Sequence, residues 1–351
     1  MRIVVKLIDY NFQNIEQLTE AYDDSNTMRG LDRNLQCIVI GRFGLYVTSY
    51  PIDDRYRVIF LPVKWTQSEV ADFILHKLQP DVIHMHGNHG WPSYPYYAKR
   101  FSLQSKRKLK LIFSPAGSSC GTPSFLSSFD YIIVNHILQR ARMKTDDLDK
   151  VLVRHRAANH KIFYPKYADK IKYDFVYVAG FVPVKQIPIM IDTFMEATPD
   201  KKLVILGDFT RMAVHYQSIK TYIDRKGIGD KVFLHDFIPQ EEMSDFLGKC
   251  GVFVWPNIKP ENPSTTTNRA VTEALACGMP LLLGARAFTE TDYVKNGYNG
   301  FLYDNPQGFK YYSNRIFRDI DHFRNCSIEI CSNLFNYRKN FIEFYNDLYS
   351  S

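Results

Sequence analysis

Short apolar runs alternate with longer amphipathic stretches along the whole chain. The runs in the first half are Arg2–Ile8, Gln36–Gly41, Tyr56–Val63, Asp81–His86, Lys110–Pro115 and Asp130–Asn135. Those in the second half are Phe175–Gly180, Lys202–Asp208, Lys231–Phe237, Gly251–Pro256 and Met279–Gly284. Several are almost continuously apolar, as strands buried on both faces of a parallel sheet are. The stretches between them have helical spacing. Residues 187–197 put Ile187, Ile191, Phe194 and Met195 on one face, and residues 241–249 do the same with Met243, Phe246 and Leu247. Strand–helix alternation on both sides of the middle predicts an α/β protein of two Rossmann-like domains.

The expected domains are residues 1–168 and 169–325, joined near "PKYADKIKY" (165–173), with a tail at 326–351. One helix is expected over 331–349. Its apolar stripe of Leu334, Phe335, Phe341, Phe344, Tyr345 and Leu348 needs burying, and is expected to return to the first domain.

A chain of 351 residues suits two cores. The net charge of +7 favours an anionic partner: a nucleotide, a phosphate or a membrane surface. It lacks the dense basic stripe of many nucleic-acid binders, so no nucleic-acid partner is expected. Six cysteines at 37, 120, 250, 277, 326 and 331 form no Cys-x-x-Cys pair. With an N-terminus interrupted by Lys6 and Asp9, they predict a reduced, cytoplasmic protein. No apolar run approaches the roughly 20 residues of a membrane span.

The segment "ENPSTTTNRAVTEALACGMPLLLG" (261–284) carries the sharpest chemistry. Hydroxyl residues lead into a helix that ends at Gly278, beyond a buried strand. A helix start leaves N–H groups unpaired and carries partial positive charge, which a side-chain cap or a bound phosphate satisfies. Ligands in open α/β sheets sit beyond the carboxyl ends of strands. Glu273, about two turns into the helix, is in range of a ribose, or else pairs with a nearby basic side chain.

"TEALACGMPLLLG" resembles the "EAMACGxPV" signature of glycosyltransferase family 4. "PDVIHMHG" (80–87), "AANHKIFYP" (157–165), "GFVPVKQIPIMIDTF" (180–194) and "VKNGYNGFLYD" (294–304) resemble further segments of that family, in its order. The resemblance implies a GT-B fold, with two parallel sheets facing across a cleft. It implies a retaining, metal-independent hexosyltransferase with a nucleotide-sugar donor of the UDP-glucose or GDP-mannose type and a glycan or glycoconjugate acceptor. No cofactor is expected, the nucleotide-sugar being a co-substrate. Lys185 matches the diphosphate lysine. Thr266, Thr267, Asn268 and Arg269 match the phosphate-cradling helix start, Glu273 the ribose carboxylate, and Phe237 the neighbourhood of the base. His86, His89, Ala116 and Gly117 fall toward the acceptor or donor sugar.

The pattern departs from the family at several points. The diphosphate arginine falls on Gly180, the first glutamate on Thr265 and the histidine of the usual turn on Ala116. A glycine-rich loop is missing from "LIDYNFQN". Arg269, or Glu261 in the longer loop, is available to replace lost contacts. Two other classes stay open: a nucleotide- or glycan-binding protein without turnover, and a metal-dependent hydrolase on His84, His86 and His89.

Overall fold

A computed structural model of the chain describes residues 1–11, 31–87, 92–105, 109–115, 122–135, 140–141, 143, 148–155, 157–210, 212–257, 269–288, 293–336 and 338–350. It divides into two compact units, residues 1–155 with 338–351, and residues 156–337.

The first unit holds β1 (Arg2–Asn11), β2 (Leu35–Arg42), β3 (Thr48–Pro51), β4 (Tyr56–Leu61), β5 (Val82–Gly87), β6 (Lys110–Pro115), β7 (Tyr131–Val134) and β8 (Val151–Val153). Their order is β3-β4-β2-β1-β5-β6-β7-β8, parallel except where β3 runs antiparallel to β4 at the edge. Helices α1 (Gln67–Asp72), α2 (Ser93–Ser105) and α3 (Pro123–Leu126) lie between strands. Alternation sorts the residues of β1 onto two faces. Val5 and Leu7 join Ile83, Met85 and Phe113 in a core with Tyr94, Tyr97 and Phe101 of α2.

The second unit holds β9 (Tyr173–Val178), β10 (Leu203–Leu206), β11 (Val232–His235), β12 (Cys250–Trp255), β13 (Leu281–Gly284) and β14 (Gly300–Tyr303). All are parallel, in the order β11-β10-β9-β12-β13-β14. Counted within the unit this is 3-2-1-4-5-6, the doubly wound order, with its reversal between β9 and β12. The helices are α4 (Ile187–Ala197), α5 (Ala213–Lys226), α6 (Gln240–Leu247), α7 (Arg269–Ala276), α8 (Ala285–Phe288), α9 (Pro306–Arg318) and α10 (Ile320–Leu334).

Both unit limits differ from those expected at 168 and 326. The segment after 156 packs on the second unit: the Ser244 hydroxyl donates to Ile162 O (2.8 Å) and accepts from Tyr164 N (3.1 Å), and Phe163 is buried. At Gly248 a Cβ would meet Lys166 O, so the two backbones are in contact. At the other limit α10 runs unbroken through 326, held by buried Ser327, Ile330 and Cys331, and Phe335 stacks on Tyr293. The single helix expected over 331–349 is therefore two elements. After the break, residues 338–343 form a π-helical turn leading into α11 (Phe344–Ser350), and both belong to the first unit.

On the other face of the first sheet, α11 covers an unusual layer of polar groups. Lys6, His84, Ser114 and Arg154 are all buried there. His84 bonds the Tyr349 hydroxyl through Nδ1 and the Ser114 hydroxyl through Nε2, both at 2.7 Å. Arg154 donates to the Tyr345 hydroxyl (2.6 Å) and to Asn135 Oδ1 (2.8 Å), and its guanidinium lies over the Phe341 ring. Burial, then the charges of Lys6, His86 and Arg154, push the His84 pKa well below 6.5. The unfolded imidazole thus takes up its proton at higher pH than the folded one. Stability should fall as the pH drops below about 6.5 towards the lowered folded value. Urea midpoints at pH 7.5 and pH 5 test this: the wild type should lose more between them than His84→Gln, and equal losses would acquit His84.

Among the described residues no helix is long and apolar enough to cross a membrane.

Candidate functional site

In open α/β sheets ligands bind beyond the carboxyl ends of the strands at a reversal of order, which here falls between β9 and β12. Beyond β9 the chain passes Gly180, where a Cβ would meet none of the described residues within 4 Å. It then makes a 3-10 turn, Pro183–Lys185, which Gln186 closes in the left-handed region at φ 50°. The turn is pinned by Tyr177, whose hydroxyl donates to Lys185 O at 2.7 Å. Lys185 is half-buried, and its Nζ lies 4.8 Å from the ring centroid of Trp255, the last residue of β12.

The other strand ends are tied to one another. At Gly207, beyond β10, a Cβ would lie 2.2 Å from Ala179 O, so only glycine permits this approach to β9. Beyond β11, Asp236 Oδ1 accepts from Phe209 N (3.1 Å) and Phe237 N (2.7 Å), joining two loops. Phe209 stacks on Tyr216 with centroids 3.9 Å apart, while the Phe237 ring stands exposed. Asn257 accepts from Arg286 N and donates to Asp304 O, bridging the ends of β12, β13 and β14.

Helix α7 returns from the β12 side. Its first residue, Arg269, donates from Nε to Glu273 Oε1 at 2.7 Å, one turn on. The Glu273 side chain is 12% exposed. A cation near a positively polarised helix start opposes the macrodipole, and this carboxylate offsets it. Burial beside Glu273 pushes the Cys277 thiol up to about 12, so it stays protonated.

Residues 161–327 match the family model of glycosyl transferases, group 1. Among curated proteins no sequence matches. Several solved structures are similar along the whole chain. A sucrose-phosphate synthase from Thermosynechococcus elongatus is 16% identical with TM-score 0.73, covering 100% of both chains. A glycosyltransferase from Rickettsia africae is 12% identical with TM-score 0.74, covering 99% of this chain and 98% of its own. HepE of Anabaena, in complex with UDP-glucose, is 12% identical with TM-score 0.66, covering 100% and 98%. The fold is GT-B.

Of the residues expected at a site, the GT-B chain brings Gly180, Lys185, Phe237, Arg269 and Glu273 into the second unit, beyond strand ends or on α7. Glu261, Thr265, Thr266, Thr267 and Asn268 lie outside the described residues, as do His89, Ala116 and Gly117. In the first unit His86 is the last residue but one of β5 and half-buried, its carbonyl accepting from Tyr94 OH at 2.6 Å. His84 is committed to Ser114 and Tyr349. Among the described residues no group of His, Cys, Asp and Glu is placed to hold a metal.

Sequence reasoning missed Tyr177, Trp255 and Asn257 in the GT-B frame. Tyr177 and Trp255 read as core residues of their strands. The available signal was position, since both stand near the carboxyl ends of strands flanking the reversal.

Proposed function

We propose that the protein is a retaining glycosyltransferase of family 4 type, moving a hexose from a nucleoside-diphosphate sugar to an acceptor hydroxyl without a divalent metal. The observation that carries this reading is the half-buried Lys185 ammonium at the β9/β12 reversal. The donor is of the UDP-glucose or GDP-mannose type, and the HepE complex with UDP-glucose supports the uridine form. The acceptor is a sugar hydroxyl on a glycan, lipid or protein.

As the bond between the anomeric carbon and the diphosphate oxygen breaks, its electron pair stays on the diphosphate. Lys185 and the unpaired N–H groups of the first turn of α7 meet that growing charge, and stabilise the transition state more than the ground state. The acceptor oxygen bonds the anomeric carbon on the face the diphosphate leaves, and its proton passes to the departing phosphate. No protein nucleophile takes part. Glu273 accepts hydrogen bonds from the ribose, and Arg269 holds its carboxylate in place.

Incubation with each donor and a panel of sugar acceptors, in the presence of a strong chelator, tests both transfer and metal independence. Nucleoside diphosphate should be released at an undiminished rate. Activity lost to chelator and restored by one cation would overturn the metal-free mechanism. A second reading, nucleotide binding without turnover, is favoured by Gly180 itself, which has no side chain to supply a second cation and whose Cβ position meets no described residue within 4 Å. Saturable binding without release of diphosphate across the panel would select it.

A further inference from the structure

The nucleotide reading uses Lys185 but not the aromatic group beneath it. Trp255 is 1% exposed, yet its ring face carries the Lys185 ammonium at 4.8 Å. Tyr177 meets the same indole edge-on, with centroids 5.1 Å apart at 85°, while its hydroxyl holds the Lys185 carbonyl. The Tyr303 hydroxyl donates to the Trp255 carbonyl at 3.0 Å. Burial raises the pKa of both tyrosines well above 10, so both remain donors at any working pH. One tyrosine thus fixes the backbone of the lysine and the ring on which its side chain rests. Three strands take part: β9, β12 and β14.

We infer that Trp255 is a positioning residue, whose indole face holds the Lys185 ammonium at the β9/β12 reversal, ready for a diphosphate. The inference rests on the proposed diphosphate role of Lys185. A lysine side chain carries much rotamer entropy, and ordering it on binding is a direct loss of affinity. Tryptophan gives the strongest face for a cation among the aromatic side chains. The ammonium has three N–H donors, so it can rest on the ring and still donate to phosphate oxygens. Packing alone explains a buried tryptophan at a strand end. It does not require that removing the ring be felt only by ligands bearing phosphate, and only while Lys185 is present.

The test is a double-mutant cycle read by calorimetry and competition. The ligands are UDP or GDP, whichever binds the wild type more tightly, and the matching nucleoside. The proteins are wild type, Trp255→Phe, Trp255→Leu, Lys185→Met and the two double variants. Trp255→Leu should weaken the diphosphate about three- to tenfold and leave the nucleoside unchanged, with a smaller loss for Trp255→Phe. In the Lys185→Met background neither substitution should cost anything further. A loss that persists in that background, or an equal loss for the nucleoside, makes Trp255 a core residue only. Should Trp255→Leu fail to fold, Trp255→Phe carries the same cycle. A Lys185→Met variant that binds diphosphate like wild type refutes the diphosphate role itself, a different pattern from additivity.

Discussion

Lys185→Ala should bind nucleoside diphosphate and nucleotide-sugar about 1.5–3 kcal/mol more weakly than wild type, the usual worth of a charge-assisted hydrogen bond. That is a loss of roughly ten- to 150-fold, at equal thermal stability. The fold should tolerate the change because the side chain rests on the surface of the unit, half-buried, and the turn is held by main-chain bonds. Tyr177 donates to the Lys185 carbonyl, and Lys185 N donates to Val182 O at 3.0 Å; neither bond involves the ammonium. Turnover should fall further than binding, since charge on the leaving diphosphate grows in the transition state. Nucleoside without phosphate should bind both proteins alike. Equal affinity of wild type and variant for the diphosphate would remove Lys185 from the site.

Glu273→Gln should cost nucleotide binding about 1–3 kcal/mol, if its carboxylate accepts from ribose hydroxyls. The ion pair with Arg269 makes a single variant ambiguous, because the same substitution weakens that contact. Arg269→Gln resolves it. If Glu273 serves only the helix, the two variants should lower thermal stability by similar amounts and leave nucleotide affinity alone. If it serves the ribose, Glu273→Gln should lose affinity for nucleoside and nucleotide alike, while inorganic phosphate competes equally against wild type and variant. A nucleotide complex with the ribose out of hydrogen-bond reach of Glu273 would settle the matter against it.

The strands of both sheets were largely legible, because a parallel strand covered on both faces must be apolar throughout. Val82–Gly87, Lys110–Pro115 and Cys250–Trp255 lie within a residue of the runs that suggested them. Three edge strands escaped, β3, β8 and β14, although the edge strand β11 did not: β3 is exposed along most of its length and β8 has only three residues, while β14 is a four-residue run, Gly300–Tyr303, opened by a glycine. The ion pair of α7 was half legible, since Arg269 and Glu273 stand four residues apart, but spacing alone does not choose between ribose and arginine. The tail was misread because periodicity counts apolar positions without saying which core they enter. Phe335 packs on Tyr293 of the second unit, whereas Phe341, Tyr345 and Leu348 are buried in the first. The lysine–tryptophan pairing was beyond reach, since it joins two strands through a reversal of order that only the folded sheet reveals.

The placement of α11 has a consequence for biosynthesis. Domains generally fold as units, N-terminal first, as the chain leaves the ribosome. Here the amino-terminal unit cannot do so completely. Lys6, His84 and Arg154 sit on an open sheet face until Tyr345 and Tyr349 have been translated and have emerged. The intervening residues 156–337 form a compact unit and need not wait. Of the two units, the one begun first is thus completed after the other, and a nascent chain stalled before Tyr345 would expose three buried basic side chains to the cell.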